Sequence, residues 1–281
     1  MPRQHINGVE LYYELTGAGD PLVLVHGAFT DHTSWRFVIP GLAESYRVLS
    51  YDRRGHSRSE RPAAPGGRRT DEDDLVTLIE TLELAPVHLV GSSHGSSISL
   101  SVAARRPELV RSVAVHEPPL LGIAEPGTML ARMADTVLAT MRAVAAEIRG
   151  GDAEGATARF IEEIALGPGM WRTLPVESRR ALVANAPTFV DLLDDHDWAA
   201  VPPPAGTDTP ILLTDGDSSP PWFGAIIAEL FLTRYGQASR HTFRGAGHAP
   251  HLTHPAELVS VIQSFVESTF ADAATTSGVQ S

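Results

Sequence analysis

Short apolar runs alternate with helical repeats along the first part of the chain. The runs are typical of strands and lie at residues 9–15, 21–25, 46–51, 87–90 and 110–115. Between them, residues 71–84 and 98–105 place apolar side chains at helical intervals. Because strands separated by helices need right-handed crossover connections, this pattern predicts a mostly parallel sheet with helices on its faces.

The pattern changes after two consecutive prolines at 118 and 119. Only helical signals occur between residues 127 and 198. One helical face there is predicted to carry Met129, Met133, Val137, Met141 and Val144. Strand signals return at 211–213 and 240–243, and a last helix begins at Pro255, a residue suited to a first helical turn.

These changes divide the chain into three predicted parts. Residues 1–117 and 206–270 form one α/β core. Residues 118–205 form a helical insertion in that core. Residues 271–281 are small and polar, and we expect them to form a mobile tail.

Composition removes several kinds of chemistry. All 22 basic residues are arginine, so Schiff-base catalysis and a phosphate-binding lysine are excluded. The absence of cysteine excludes thiol nucleophiles, disulfides and thiolate metal sites. A net charge of −12 disfavours binding to nucleic acid.

Targeting signals are not evident in the sequence. Residues 1–20 contain no apolar stretch of signal-peptide length. The longest apolar runs fall far below the roughly 20 residues that a membrane helix needs. We therefore expect a cytoplasmic protein without a membrane partner, and the sequence indicates no oligomeric state.

The segment 91–95, with the sequence GSSHG, matches the pattern G-x-S-x-G. It directly follows the predicted strand at 87–90 and precedes a helix, the setting that holds a serine in a strained, exposed turn. The flanking glycines permit the tight turn. We predict that Ser93 is a nucleophile, rather than an incidental serine in a glycine turn.

A serine nucleophile needs a general base, and His248 is placed to supply it. It follows the last predicted strand, so it lies at the carboxyl end of the sheet, where ligands gather. His251 and His254 follow at intervals of three, which suggests a metal site. Pro250 and Pro255 interrupt any helix that would align the rings, and no carboxylate motif joins them, so we predict no metal.

Backbone donors for a developing oxyanion are predicted on two segments. His26, Gly27 and Ala28 directly follow the strand at 21–25, and an N–H exposed there can point at the oxyanion. We assign the oxyanion hole to the N–H groups of Ala28 and His94. The side chain of His26 is expected to be structural.

Together these motifs make the chain resemble an α/β-hydrolase over about residues 5–270. The resemblance rests on His26-Gly27 after a strand, the segment DRRGHS at 52–57, the turn at Ser93, and Gly247-His248 near the end. It implies the α/β-hydrolase fold, a mostly parallel central sheet flanked by helices. It further implies that residues 118–205 form a cap over the site.

The acid of the triad departs from the pattern that the resemblance implies. Similar proteins end a late strand with Gly-x-x-Asp-Pro, whereas residues 216–220 here read GDSSP, with Ser219 at the acid position. A hydroxyl cannot stabilise an imidazolium as a carboxylate does. Glu117 ends the strand after the nucleophile's helix and is similarly placed in zearalenone-type lactonases. We prefer Glu117, with Asp217 and Asp215 as alternatives.

The implied reaction is hydrolysis of a small-molecule carboxylic ester or lactone through an acyl-enzyme, without organic cofactor or metal. Carbon–carbon bond hydrolysis or a lyase reaction on the same triad, or a ligand receptor with residual hydrolysis, are the alternatives. Bulky side chains of the insertion are assigned to the substrate pocket: Met129, Met133, Trp171 and Trp198. A cluster of arginines is expected in a solvated loop, with a phosphate or carboxylate site as the alternative: Arg53, Arg54, Arg58, Arg61, Arg68 and Arg69.

Overall fold

The computed structural model describes residues 2–64, 66–204 and 209–277 and contains one eight-stranded sheet. The strands are β1 (Arg3–Ile6), β2 (Val9–Thr16), β3 (Asp20–Val25), β4 (Tyr46–Tyr51), β5 (Val87–Ser92), β6 (Val110–His116), β7 (Ile211–Gly216) and β8 (Ser239–Phe243). Their order is β1-β2-β4-β3-β5-β6-β7-β8. The first two pairings are antiparallel and the remaining five are parallel.

Ten α-helices accompany the sheet in the described part of the chain. They are α1 (Ile39–Leu42), α2 (Arg68–Thr81), α3 (His94–Arg105), α4 (Met129–Arg149), α5 (Ala153–Phe160), α6 (Met170–Thr173), α7 (Val176–Asp194), α8 (Ala225–Arg234), α9 (Pro250–Thr253) and α10 (Pro255–Ser277). A π-helical turn, Ile161–Ala165, follows α5. None of the helices in the described ranges is long and apolar enough to cross a membrane.

This architecture confirms the predicted α/β-hydrolase fold. The predicted strands all occur, and the structure adds β1, whose four residues RQHI gave no apolar run. Helix α8 was also missed. Helix α10 continues beyond residue 270 into the segment for which we predicted mobility, while residues 278–281 and the insertion boundary at 205 lie outside the described residues.

The sheet is buried on both faces because its central strands direct apolar side chains to each of them. In β3, Val23 and Val25 pack with α2 and α3, whereas Leu22 and Leu24 pack on the opposite face with α10. Because the strands from β3 to β8 run parallel, their carboxyl ends lie along one edge of the sheet. That edge carries the segments that follow β3, β5, β6 and β8.

A third apolar cluster lies in the helical insertion between β6 and β7. It joins α4, α5 and α7 and includes Phe29, which follows β3 in the core. The buried face of α4 consists of Leu130, Ala134, Val137, Met141, Val144 and Ala145. The predicted face was therefore wrong at its start, where Leu130 and Ala134 are buried in place of Met129 and Met133. Adjacent residues of a helix point about 100° apart, so Met129 and Met133 lie on a different face.

Candidate active site

The turn at Ser93 has the strained geometry that the sequence predicts. Ser93 stands between β5 and α3 with φ 53° and ψ −124°, a backbone region that L-residues seldom adopt. A Cβ on Gly91 would lie 2.6 Å from the carbonyl oxygen of Gly95, and one on Gly95 would lie 2.1 Å from the carbonyl oxygen of Val25. Both glycines are therefore required for this close approach.

A buried carboxylate–imidazole pair lies at the ends of β6 and β8. The Nδ1–H of His248 donates to Oε2 of Glu117 at 2.6 Å, and the N–H of Gly216 donates to Oε1 at 2.9 Å. Glu117 is 2% exposed and has φ 44°, a second strained residue at the same edge of the sheet. The ring of Phe223 stacks on His248 at 4.1 Å between centroids, which fixes the plane of the imidazole.

The surroundings of Glu117 favour its ionised form. Burial by itself raises the pKa of this carboxyl, but the hydrogen bond from His248 and the adjacent imidazoles lower it below its usual range. The neighbouring ring of His116 has its pKa lowered to about 4 by burial, so it is neutral at pH 7. The hydroxyl of Ser219 also lowers the pKa of Glu117, although it makes no hydrogen bond of good geometry within the described residues.

The two alternative acids contact other groups. Asp215 pairs with the guanidinium of Arg240 at 2.7 and 3.0 Å and accepts from the hydroxyl of Thr242. Asp217 is exposed and accepts from the N–H of Gly245 at 2.7 Å. Of the three carboxylates considered from the sequence, Glu117 is the one that the structure brings to His248.

The segment after β3 lies against the nucleophile turn. A Cβ on Gly27 would be 3.2 Å from the Cβ of Ser93. The backbone N–H groups of Ala28 and His94 have no hydrogen-bond acceptor among the described residues. Phe29, the next residue, has φ 61°. Two free donors beside Ser93 are what stabilisation of an oxyanion requires.

The helical insertion holds this segment through one buried amide. Asn185 of α7 is 1% exposed, and its Nδ2 donates to the carbonyl oxygen of Phe29 at 3.0 Å and of Thr30 at 3.3 Å. Its Oδ1 accepts from the backbone N–H of Ser57 at 2.7 Å. The conformation of residues 29–30 is thereby tied to a helix that lies far away in the sequence.

A buried ion pair behind this segment was missed by sequence reasoning. Arg53 is 4% exposed, and its guanidinium donates to Asp71 at 2.5 Å and to the carbonyl oxygen of Gly27 at 3.0 Å. Its backbone N–H donates to Nε2 of His26 at 3.0 Å, which makes that ring structural. The expectation of a solvated loop was wrong for Arg53, and also for Arg54 and Arg68, whose side chains are 10% and 12% exposed and pair with buried carboxylates. Six clustered arginines show no local sign of which ones pair inside.

A cavity of about 300 Å³ opens beside Ser93 and is mostly apolar. Ser93 and His248 both line it, although no hydrogen bond joins their side chains. Such contacts are often long before substrate binds. The cavity reaches between the core, which contributes Trp35, and the insertion, which contributes Phe160 and Leu182.

The residues assigned to the pocket from the sequence are mostly elsewhere. Met129 is 64% exposed, Met133 is half-buried, and Trp171 is buried in the insertion, so none of these three lines a cavity at Ser93. Trp198 lines a second, smaller cavity of about 30 Å³, and Ser93 forms part of the same wall. Residue size alone could not show which helical faces turn toward the site.

Two groups of side chains in the described ranges have the ligand types and spacing to hold a metal ion. They are His116, Glu117 and His248, and Asp31, His32 and Asp52. In each group an imidazole Nδ1 is already hydrogen bonded to a carboxylate at 2.6 Å. His251, which suggested a metal from its spacing, packs on Trp35 instead.

Comparison with protein families gives one match that covers most of the chain. A model of the Alpha/beta hydrolase family matches residues 22–261. Among curated proteins, the chain is similar to the 2-hydroxymuconate semialdehyde hydrolase of Pseudomonas sp. (strain CF600), at 41% identity over 108 residues. That match covers 37% of this chain and 38% of the relative, less than half of its length.

Solved structures resemble the chain over nearly its full length. A thermophilic esterase from Thermogutta terrifontis has a TM-score of 0.76 at 23% identity, covering 96% of this chain and 99% of the esterase. The enol-lactonase from Burkholderia xenovorans LB400 has a TM-score of 0.74 at 20% identity, covering 95% and 100%. At these identities the likeness shows the shared fold.

Proposed function

Because the chain belongs to the alpha/beta hydrolase family, we propose that it is a serine hydrolase acting on a carboxylic ester or lactone through an acyl-enzyme. The observation that carries this proposal is the Glu117–His248 hydrogen bond of 2.6 Å at a cavity that Ser93 also lines. A serine, a base and an orienting carboxylate are the three groups that acyl transfer requires.

Each group has a defined role in the proposed mechanism. Ser93 Oγ attacks the carbonyl carbon while His248 takes its proton through Nε2. Glu117 holds the Nδ1–H tautomer and stabilises the imidazolium that forms. The N–H groups of Ala28 and His94 bind the oxyanion. His248 then protonates the leaving alkoxide and later activates the water that releases the acid.

We propose that the helical insertion acts as a cap and selects the substrate. Phe160 and Leu182, both from the insertion, form part of the wall of the large cavity. Since the cavity is mostly apolar, the substrate is an uncharged small molecule with an apolar body.

A second candidate function is hydrolysis of a carbon–carbon bond. It is favoured by the similarity to a 2-hydroxymuconate semialdehyde hydrolase, and it uses the same three residues. A lyase would ignore simple aryl esters, and a receptor would stop after one turnover with a retained adduct.

Covalent labelling tests the nucleophile. Wild-type protein should be labelled once by a fluorophosphonate, and Ser93→Ala should lose the label and about 10⁶-fold in kcat, the loss known for removal of a triad serine. The matched control is Ser178→Ala, because Ser178 is another serine on the wall of the same cavity. Labelling that survives in Ser93→Ala, as judged by intact mass, would overturn the assignment.

A substrate panel then separates the two candidate reactions. Wild-type protein is offered aryl esters, lactones and vinylogous 1,5-diketones under the same conditions. Repeated turnover of esters or lactones supports the proposed function. Turnover of the diketones alone would favour carbon–carbon hydrolysis.

A further inference from the structure

Two cavities meet at Ser93, and they differ about tenfold in volume. The large one, of about 300 Å³, is lined by His248 and Leu252 on the core side. The small one, of about 30 Å³, is lined by His94 and by side chains of the insertion. Ala28, Ser93 and Phe160 form part of both walls.

We infer that the small cavity is the acyl site and the large cavity the alcohol site, so that the substrate is an ester of a short, uncharged carboxylic acid with a bulky apolar alcohol. This inference rests on the proposed function. It assigns to each cavity one of the two parts of the ester that separate in the reaction.

The position of His248 sets the orientation. When Ser93 Oγ bonds to the carbonyl carbon, its proton passes to His248, and the same proton goes to the alkoxide as the bond from carbon to alkoxy oxygen breaks. The alkoxide must therefore face His248, which lines the large cavity and is absent from the wall of the small one. With the oxyanion at Ala28 and His94, the acyl substituent is directed to the small cavity.

The volume of the small cavity limits the acyl chain. At about 30 Å³, against about 300 Å³ for the large cavity, it has room only for a short acyl chain. Its wall includes Val137 and Met141, both buried in the insertion, and Trp198. Val137 and Met141 carry no N–H or O–H group, so they offer the end of an acyl chain no hydrogen-bond donor.

Packing around the small cavity opposes its expansion. The indole N–H of Trp222, a wall residue, donates to the carbonyl oxygen of Ile164 at 3.1 Å. Phe160 packs between the rings of Phe29 at 4.6 Å and Phe189 at 5.0 Å. Widening the cavity would require repacking of these close-packed groups.

The same wall excludes a charged acyl group. Among the described residues that line the small cavity there is no arginine or carboxylate. Its one titratable side chain is His94, and burial lowers the pKa of this imidazole, so the ring is neutral at pH 7. A carboxylate on the acyl chain would be buried there without a partner, which is costly.

A chain-length series with one bulky alcohol tests the inference. For 2-naphthyl acetate, propionate, butyrate and octanoate, kcat/KM should be highest for acetate or propionate and fall at least about tenfold by butyrate, the effect of one methylene too many in an apolar pocket. A wild-type protein that prefers octanoate would overturn the inference.

Variants of each cavity test the orientation. Met141→Ala enlarges the small cavity and should move the optimum toward butyrate; Val137→Ala is the milder variant if Met141→Ala does not fold. Leu182→Ala, on the wall of the large cavity, is the matched control and should leave the acyl ranking unchanged. If Leu182→Ala changes the acyl ranking and neither small-cavity variant does, the orientation is reversed.

Labelling of Ser93 separates a failure of the acyl-site inference from a failure of the proposed function. Each protein is first titrated with a small alkyl fluorophosphonate, which reports on Ser93 without regard to acyl length. Labelled protein with the opposite ranking overturns the acyl-site inference alone. Absence of both labelling and ester turnover overturns the proposed function, and with it the inference.

Discussion

Two buried acid–histidine pairs lie at this edge of the sheet, and they have the same hydrogen-bond length. His248 Nδ1 contacts Glu117 at 2.6 Å, and His32 Nδ1 contacts Asp52 at 2.6 Å. Both carboxylates are buried, with exposed fractions of 2% and 0%. The pairs differ in what the other nitrogen of each ring meets.

The surroundings of His32 favour the charged form of its ring. Its Nε2 lies 3.6 Å from the carboxylate of Glu14. Burial alone would lower the pKa of His32, but the hydrogen bond and charge of Asp52, with Asp31 and Glu14 nearby, raise it above its usual value. Its Nε2 therefore meets a carboxylate instead of a hydroxyl nucleophile, and we expect this pair to be structural.

The two pairs therefore differ in their third partner, and we expect this partner to distinguish a pair that serves acyl transfer from a structural ion pair. The free face of His248 opens on the cavity that Ser93 lines, whereas His32 faces a second acid.

Replacing Glu117 should abolish most of the activity. Glu117→Gln keeps the side-chain shape but removes the charge and favours the wrong tautomer of His248, a change known to lower kcat about 10⁴-fold, or about 5.4 kcal/mol. The measurement is kcat on a small aryl ester. Asp215→Asn and Asp217→Asn are the matched controls and should retain most activity, since neither carboxylate contacts His248. Parental activity in Glu117→Gln, with one of the controls inactive, would move the acid to the loop after β7.

Replacing Asp52 should affect stability rather than chemistry. Its carboxylate also accepts from the backbone N–H groups of His32 at 2.9 Å and Arg58 at 3.0 Å. Asp52→Asn breaks a buried pair, for which losses of about 3–5 kcal/mol in the free energy of unfolding are typical. Urea unfolding measures the loss, while kcat of the folded protein should stay within about tenfold. A fall in kcat comparable to that of Glu117→Gln, with stability unchanged, would contradict the structural role.

The pH dependence of stability should show the smallest effect. Because the folded-state pKa of His32 is raised, its contribution is complete below the unfolded value of about 6.5 and is lost as pH rises through the folded pKa. The free energy of unfolding should therefore decline over that window, by less than the loss in Asp52→Asn. His32→Asn should lack this component of the decline. An identical pH profile in the two proteins would show that His32 carries no raised pKa.

Much of the fold could be predicted because its signals are local. Buried parallel strands appear as apolar runs, and the turn at Ser93 appears as a glycine pattern between a strand and a helix. Glu117 could be singled out because it ends a buried strand, where packing alone does not favour a charged carboxylate. Its role as the acid stays a prediction, supported by the hydrogen bond to His248.

The pocket and the buried arginine could not be predicted for a shared reason. The burial of Arg53 depends on Asp71, 18 positions away, and no local repeat reports that pairing. The faces of α4 were misjudged by one position, which exchanged Met129 and Met133 for Leu130 and Ala134. Such features depend on tertiary packing, which overrides the weak preferences of short segments.

The side-chain amide of Asn185 takes part in a contact that can form only after the first six strands have been synthesised. It contacts the carbonyl oxygen of Phe29 across 156 positions of the chain, and the Glu117–His248 contact spans 131. The strands β1 to β6 lie within the first 116 residues, so they leave the ribosome long before either contact can form. Closing loops of this length costs entropy that only later packing repays. A nascent chain can therefore pair its first strands before His248 can reach Glu117 and before Asn185 can hold residues 29–30.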